Sequence, residues 1–310
     1  MVDLILFGDC KYRLRQFPKA SAQMCVTSPP YYGLRDYGGE EAQIGQEQTP
    51  EEFIDNLVSV FREVREVLKD DGVLWVNIGD SYYNYRPGTG GLPKQTVSKT
   101  SQDLPTECNR RANKLDGLKE KDMIGIPWML AFALRADGWY LRQDIIWHKP
   151  NPMPESVKDR CTKSHEYIFL LSKNKKYYYD NEAIKEPVKQ DWGKRDRTTG
   201  KYHNPGTGLQ PHSGLSKSYE RKNKRDVWSV TNKPYKGAHF ACFPPDLIEP
   251  CILAGSKKGD IILDPFMGSG TTAMVAKQHD RHYYGCELHE EYGSLIQKRI
   301  KAIPTKLPML

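Results

Sequence analysis

No Cys-x-x-Cys pair occurs among the seven cysteines, which stand at positions 10, 25, 108, 161, 242, 251 and 286. An odd number without paired spacing argues against a zinc site and a disulfide framework, leaving reduced, mostly packed thiols. No apolar run approaches the roughly 20 residues of a membrane span. Met1–Asp9 is too short, and at Asp3 and Asp9 too acidic, for a signal peptide, so a cytoplasmic protein is expected. A Gly-x-x-x-x-Gly-Lys-Ser/Thr phosphate loop is missing, as is any internal repeat. What remains is 310 residues with 38% hydrophobic and 27% charged content, enough for one large folded domain with insertions or two small ones.

The formal charge of +7 is unevenly placed. Lys185–Lys236 holds 13 Lys and Arg against 5 Asp and Glu, a net of +8, which leaves about −1 for the rest of the chain. So concentrated a basic stretch suits a polyanion such as nucleic acid, while a solvated loop is the bland alternative. Trp192 and Trp228 lie within it and serve either to stack on bases or to pack a small module.

Periodicity divides the chain into three regular regions. Leu4–Phe7 and Met24–Thr27 are short apolar runs stopped by Gly8-Asp9 and by Pro29-Pro30, and read as strands. Phe53, Leu57, Val60, Val64 and Leu68 recur at helical spacing after the start signal Thr49-Pro50-Glu51-Glu52; Asp71-Gly72 is expected to end that helix before the strand Val73–Ile78. The second region predicts a helix over Ile124–Leu134 and strands over Tyr140–Trp147 and Tyr167–Leu171, with Lys176–Tyr179 extending the last as strand surface. The third predicts helix Leu247–Leu253, strand Asp260–Leu263, helix Gly270–Gln278, strand Arg281–Gly285 and helix Glu291–Ile300. Strands alternating with helices imply an α/β fold with a parallel sheet covered on both faces. Tyr82–Glu120 and Glu186–Lys236, rich in Gly, Pro, Ser, Thr, Asn and Lys, read as insertions.

Two motifs carry chemistry. In Thr27-Ser28-Pro29-Pro30-Tyr31 a buried strand runs into a rigid turn. The turn offers the Ser28 hydroxyl and the Pro29 carbonyl as fixed acceptors, Pro30 brings no N–H to compete, and Tyr31 adds a flat ring. An aromatic amine is a poor nucleophile because its lone pair is delocalised. Two acceptors on its two hydrogens draw the nitrogen toward a pyramidal shape while the ring stacks on the base. An ordinary Pro-Pro loop is the alternative. The second motif is Asp264-Pro265-Phe266-Met267-Gly268-Ser269-Gly270-Thr271-Thr272, a strand end turning through glycines into a helix whose free N–H groups face a ligand. Glu287, 17 residues beyond Gly270, ends the following strand, where a carboxylate accepts both ribose hydroxyls.

Together these motifs resemble the amino-group DNA methyltransferases, with the catalytic motif before the cofactor motif, the circularly permuted β-type order. The resemblance extends to Leu6-Phe7-Gly8-Asp9-Cys10, to Gln143–Asn151 with Ser164-His165-Glu166, and to Phe243-Pro244-Pro245-Asp246-Leu247. It implies a Rossmann-like S-adenosylmethionine-dependent sheet of seven strands ending in an antiparallel hairpin. It further implies Asp9 and Cys10 near the cofactor adenine, Phe243 and Pro244 over its methionine end, and the two blocks of the middle region around the target base. Ser28 stands where the family's cytosine-N4 enzymes usually carry Ser and its adenine enzymes Asp, and so favours cytosine. Methyl transfer to an amine needs no strong base beforehand, so His148 and His165 read as structural or base-pocket residues.

The resulting expectation is a catalytic half over residues 1–185 with an insertion at 82–120, a target-recognition region at 186–236, and a cofactor half at 237–310. The cofactor is S-adenosylmethionine, no metal is called for, and the substrate is double-stranded DNA whose target base is flipped out. A homodimer and a cognate restriction endonuclease are the further expected partners, with no membrane. The rivals are a methyltransferase of RNA or protein amides, for which the Asn-Pro-Pro-Tyr form is lacking, and a non-catalytic DNA-binding protein.

Overall fold

The computed structural model describes residues 2–33, 43–83, 115, 117–188, 220–232 and 243–303. Along the chain run β1 (Leu4–Phe7), α1 (Cys10–Arg13), β2 (Ala22–Thr27), α2 (Pro50–Val67), β3 (Leu68–Ile78), α3 (Ile126–Ala136), β4 (Tyr140–His148) and β5 (His165–Ser172). Then come β6 (Glu186–Pro187), β7 (Arg221–Lys222), β8 (Val227–Ser229), α4 (Pro245–Gly255), β9 (Ile261–Asp264), α5 (Thr271–Gln278), β10 (His282–Glu287) and α6 (Tyr292–Lys301).

The central sheet has the order β1-β10-β9-β2-β3-β5-β4-β8. The first five strands are mutually parallel, β5 runs antiparallel between β3 and β4, and β8 lies parallel to β4 at the far edge. Alternation along each strand feeds two apolar layers, as a sheet covered on both faces requires. Cys25, Leu74, Val76, Leu263 and Tyr284 face the layer filled by α2 and α3, with Phe53, Leu57, Phe61 and Leu130 fully buried. Met24, Val26, Val73, Trp75, Ile262 and Tyr283 face the layer of α4, α5 and α6, with Leu247, Ala273 and Ile296. The last helix closes onto the first strand: a Cβ at Gly293 would lie 2.9 Å from Phe7 Cζ.

Helix α2 starts as its sequence dictates. Thr49 accepts from the Glu52 backbone and Glu52 reaches back to the Thr49 N–H, a complete capping box with proline at the first helical position. Its end differs from the expectation. The helix stops at Val67, and Leu68–Gly72 already belongs to β3, where the pairing jumps from Ala22↔Leu68 to Met24↔Val73. Asp71-Gly72 thus sits in a bulge of the strand rather than between two elements.

Two further departures concern the sheet edge. Seven strands were expected, and among the described residues the central sheet has eight, the additional one being Val227–Ser229 from within the basic segment. Tyr177–Tyr179 forms no strand. There Tyr178 N donates to the Asp71 carbonyl, the following Asp180 N to that of Ala254, and the Tyr179 ring stacks on Trp75 with centroids 6.4 Å apart. Most of 82–120 and 189–219 lies outside the described residues, but the stems of both insertions are visible. A Tyr82↔Met123 bridge closes the first and the β6–β7 ladder the second. Among the described residues no helix is long and apolar enough to cross a membrane.

Candidate active site

Both chemical motifs emerge at the C-terminal edge of the parallel strands, where open α/β sheets bind ligands. Ser28, Pro29, Pro30 and Tyr31 follow β2, and Asp264 ends the neighbouring β9. A buried hydrogen bond of 2.6 Å from Thr27 Oγ1 to Asp264 Oδ1 joins two residues 237 positions apart. The other Asp264 oxygen accepts from Thr272 Oγ1 at 2.5 Å, and Oδ1 also takes the Phe266 N–H at 3.0 Å. Desolvation raises the Asp264 carboxyl to about 6 against these three donors. With both oxygens engaged, this side chain ties the catalytic turn to the glycine loop.

The loop itself is shaped by backbone needs. Gly268 and Gly270 hold φ of 54° and 81°, and a Cβ at Gly270 would fall 2.7 Å from Ile296 Cγ2, so the loop and α6 can approach only with glycine there. The hydroxyls around it turn inward. Ser269, buried, bonds Arg299, and Thr271 Oγ1 accepts from the same guanidinium at 3.1 Å. Pro265 is buried behind the loop, and Phe266 is partly exposed against the α2 layer. What the loop presents outward is chiefly backbone.

Glu287 ends β10, and its carboxylate accepts from Gly268 N at 2.7 Å and His289 N at 3.1 Å. Burial pushes it up to about 7, with those N–H groups acting in the opposite sense. Beside it opens a cleft of about 450 Å³ lined by Phe7, Gly8, Arg13, Leu288, His289 and Glu291. Asp9 and Cys10 border this cleft in sequence. Asp9 is half-buried and caps α1 through Lys11 N at 2.8 Å, whereas the Cys10 thiol points into the core and is pushed up to about 12 by burial. Phe243, partly buried on the α4 layer, and the buried Pro244 lead into α4. The site fits a nucleoside-bearing cofactor: backbone loop, buried acid and open cleft form one continuous edge across β9, β10 and β1.

Around the Ser-Pro-Pro-Tyr turn the structure gathers Glu166 and Lys149, which lie in the two middle blocks of the family resemblance, with Asn77, Asp80 and Lys163, which motif reading did not single out. Tyr31 donates to Glu166 Oε2 at 2.6 Å, Glu166 pairs with Lys149, and the side chain of Asn77 lies against both Tyr31 and Glu166. Lys163 donates to the Asp80 carbonyl at 2.7 Å, its ammonium lowered from the ordinary lysine range by burial. The Asp80 carboxylate caps the start of α3 through Gly125 N and Ile126 N, both at 3.0 Å. One signal was present in the sequence: Asn77 is a polar residue inside the apolar strand Val73–Ile78, and it is 4% exposed. His148 bonds Ser229 at 3.0 Å and faces His165 across the β4–β5 ladder.

This fold and edge define an α/β transferase with a nucleoside cofactor, and the comparisons fix the class. The family described as DNA methylase, of the N6/N4 amino type, matches residues 22–298. The Type II methyltransferase M.SmaI of Serratia marcescens is 47% identical over 96% of this chain and 90% of its own length. M.Cfr9I of Citrobacter freundii is 46% identical over 97% and 88%. Among solved structures, the cytosine-N4-specific PvuII DNA methyltransferase superposes with a TM-score of 0.64 at 18% identity, covering 99% of this chain and 88% of the other. M1.HpyAVI in complex with SAM gives 0.54 at 16%, covering 95% and 98%. The chain belongs to the DNA methylase family. It is an S-adenosylmethionine-dependent enzyme that methylates an exocyclic amino group of DNA.

Proposed function

We propose that the methylated group is the N4 amine of a cytosine flipped out of duplex DNA, and that Ser28 carries this choice. Ser28 is half-buried at the tip of β2, adjoining the Thr27–Asp264 bond that locks the turn to the cofactor loop. A neutral hydroxyl and the Pro29 carbonyl accept the two amine hydrogens, freeing the nitrogen lone pair. Tyr31 stacks on the ring, and Pro30 keeps the turn rigid. S-adenosylmethionine supplies the electrophilic methyl group. Phe266, Gly268, Ser269 and Gly270 present backbone to its methionine end beneath Phe243 and Pro244, Glu287 takes the ribose hydroxyls, and Phe7, Asp9 and Leu288 border the adenine. Asp264, Thr271 and Thr272 hold the loop's shape, with Pro265 behind it.

The stems at Tyr82↔Met123 and β6–β7 support placing insertions 82–120 and 186–236 on the DNA side, the latter as target-recognition region. The relatives' name, Type II methyltransferase, supports a cytoplasmic modification enzyme acting beside a restriction endonuclease of the same specificity. A homodimer completes the proposal, and sedimentation without DNA tests it.

Ser28→Ala tests the central choice. One lost hydrogen bond felt only in the transition state lowers turnover by roughly 5- to 150-fold while cofactor affinity stays the same. Unchanged turnover would remove Ser28 from the reaction.

A further inference from the structure

Tyr31 is held by side chains from two other strands, Asn77 of β3 and Glu166 of β5. Its phenol donates to Glu166 Oε2 at 2.6 Å, and the phenol oxygen lies 3.4 Å from Asn77 Oδ1. Asn77 in turn donates to the Tyr167 carbonyl at 3.2 Å, which fixes its amide. Lys149 pairs with the second Glu166 oxygen, and its ammonium sits 4.3 Å from the centroid of the Trp147 ring. The two side chains of this pair are only 16% and 13% exposed. Space is cleared for the arrangement: a Cβ at Gly79 would fall 2.8 Å from Tyr31 Cε2 and 3.3 Å from Glu166 Cδ.

A tyrosine that served only as a flat face would need its ring and not its hydroxyl. Burying an ammonium and a carboxylate costs desolvation of both, so such a pair is weak evidence of stabilisation by itself. Here one carboxylate oxygen is spent on the ammonium and the other on the phenol, a short charge-assisted bond of the strong kind. The bond is made at the far end of the ring, where it restrains rotation about both side-chain torsions of Tyr31.

We propose that Glu166, oriented by Lys149 and Asn77, is a positioning residue that presets the plane of the Tyr31 ring for the extruded base. The inference rests on the reading of Tyr31 as the stacking platform. A preset ring spares the enzyme the cost of ordering it when the base arrives, so its loss appears in turnover rather than in cofactor binding.

The test uses the full-length protein with S-adenosylmethionine and duplex DNA, in the variants Tyr31→Phe, Glu166→Gln, both together, and Tyr31→Ala. Turnover and cofactor affinity are measured, together with the fluorescence of 2-aminopurine at the target position, which stacking quenches. Tyr31→Phe and Glu166→Gln should each lower kcat by roughly 10- to 100-fold, leave cofactor affinity unchanged and raise the 2-aminopurine signal above wild type. Because both remove the same charge-assisted bond, the double variant should be no worse than the poorer single one. Wild-type turnover and quenching in Tyr31→Phe, or losses that multiply in the double variant, would overturn the proposal. If Glu166→Gln does not fold, Tyr31→Phe decides alone. Full activity in Tyr31→Ala would instead defeat the stacking role on which the inference rests. An inactive Tyr31→Ala beside a fully active Tyr31→Phe would leave that role standing and reject Glu166.

Discussion

At the scale of single residues, two buried carboxylates beside the glycine loop have different surroundings. Asp264 is enclosed by Thr27, Thr272 and the Phe266 N–H, whereas Glu287 directly precedes Leu288 in the lining of an open cleft. Desolvation raises both in the folded protein, Asp264 to about 6 and Glu287 to about 7. A raised carboxyl binds more protons folded than unfolded, so these two groups stabilise the free protein most at acid pH. That contribution is lost as pH climbs through about 6 and 7. On the proposed assignment of the ribose to Glu287, cofactor binding runs the other way, since a ribose diol needs the ionised acceptor. Calorimetric titration should therefore show affinity for S-adenosylmethionine rising through pH 7, and Glu287→Gln should weaken it and flatten the rise. A wild-type slope in that variant would place the ribose elsewhere.

The residues named from sequence divide by the kind of signal they carried. Glycines at 268 and 270 announced a backbone that a ligand approaches, and their positive φ angles bear out the need for glycine. The hydroxyls beside them announced nothing so definite. Ser269 and Thr271 are taken by Arg299, and Thr272 by Asp264, through tertiary contacts that no local pattern encodes. The same limit hid Asn77, 46 positions from Tyr31, and the pairing of Tyr31 with Glu166, 135 positions away, although Glu166 itself stood in a block that the resemblance placed around the target base.

Among elements, the long apolar runs were legible and the short edge strand was not. Helix α2 carries its own capping box, and β2, β9 and β10 are buried on both faces, so their composition alone marks them. Val227–Ser229 is three residues inside a Lys- and Arg-rich stretch, too brief to show alternation. It is fastened by Trp228, which is 5% exposed, lies 6.4 Å from the Trp75 ring and donates to the Arg225 carbonyl at 2.7 Å. Trp228→Ala should cost about 3–5 kcal/mol, the usual penalty for emptying a buried aromatic site. Urea unfolding followed by Trp-independent far-UV signal measures it. A loss below about 1 kcal/mol would show that β8 is an ornament of the sheet edge rather than part of the core. The tryptophan thus belongs to packing, the more ordinary of the two roles its basic surroundings suggested.

For the molecule as a whole, the order of motifs and the order of strands agree. Strand β9, which leads into the glycine loop, lies between β10 and β2, which leads into the Ser-Pro-Pro-Tyr turn, so segments at opposite ends of the sequence meet at one edge of the sheet. Charge is distributed on a different plan, with an excess of +8 over Lys185–Lys236, a stretch that begins at the β6–β7 stem and runs beyond it. If that segment meets phosphates, log affinity for DNA should fall with log salt by roughly 0.9 per contact. Deleting Asp191–Tyr219 spares β7 and the 2.6 Å Arg225–Glu186 pair, and should flatten the slope with cofactor affinity intact. An unaltered slope would assign the DNA contacts to another surface.

The central claim concerns the atom that receives the methyl group. Duplex DNA incubated with the protein and methyl-labelled S-adenosylmethionine, then digested to nucleosides and separated, reports that atom directly. The label should appear in N4-methylcytosine and should fall with Ser28→Ala. Label in N6-methyladenine would contradict the choice of base, and label in 5-methylcytosine would contradict amino-group transfer itself.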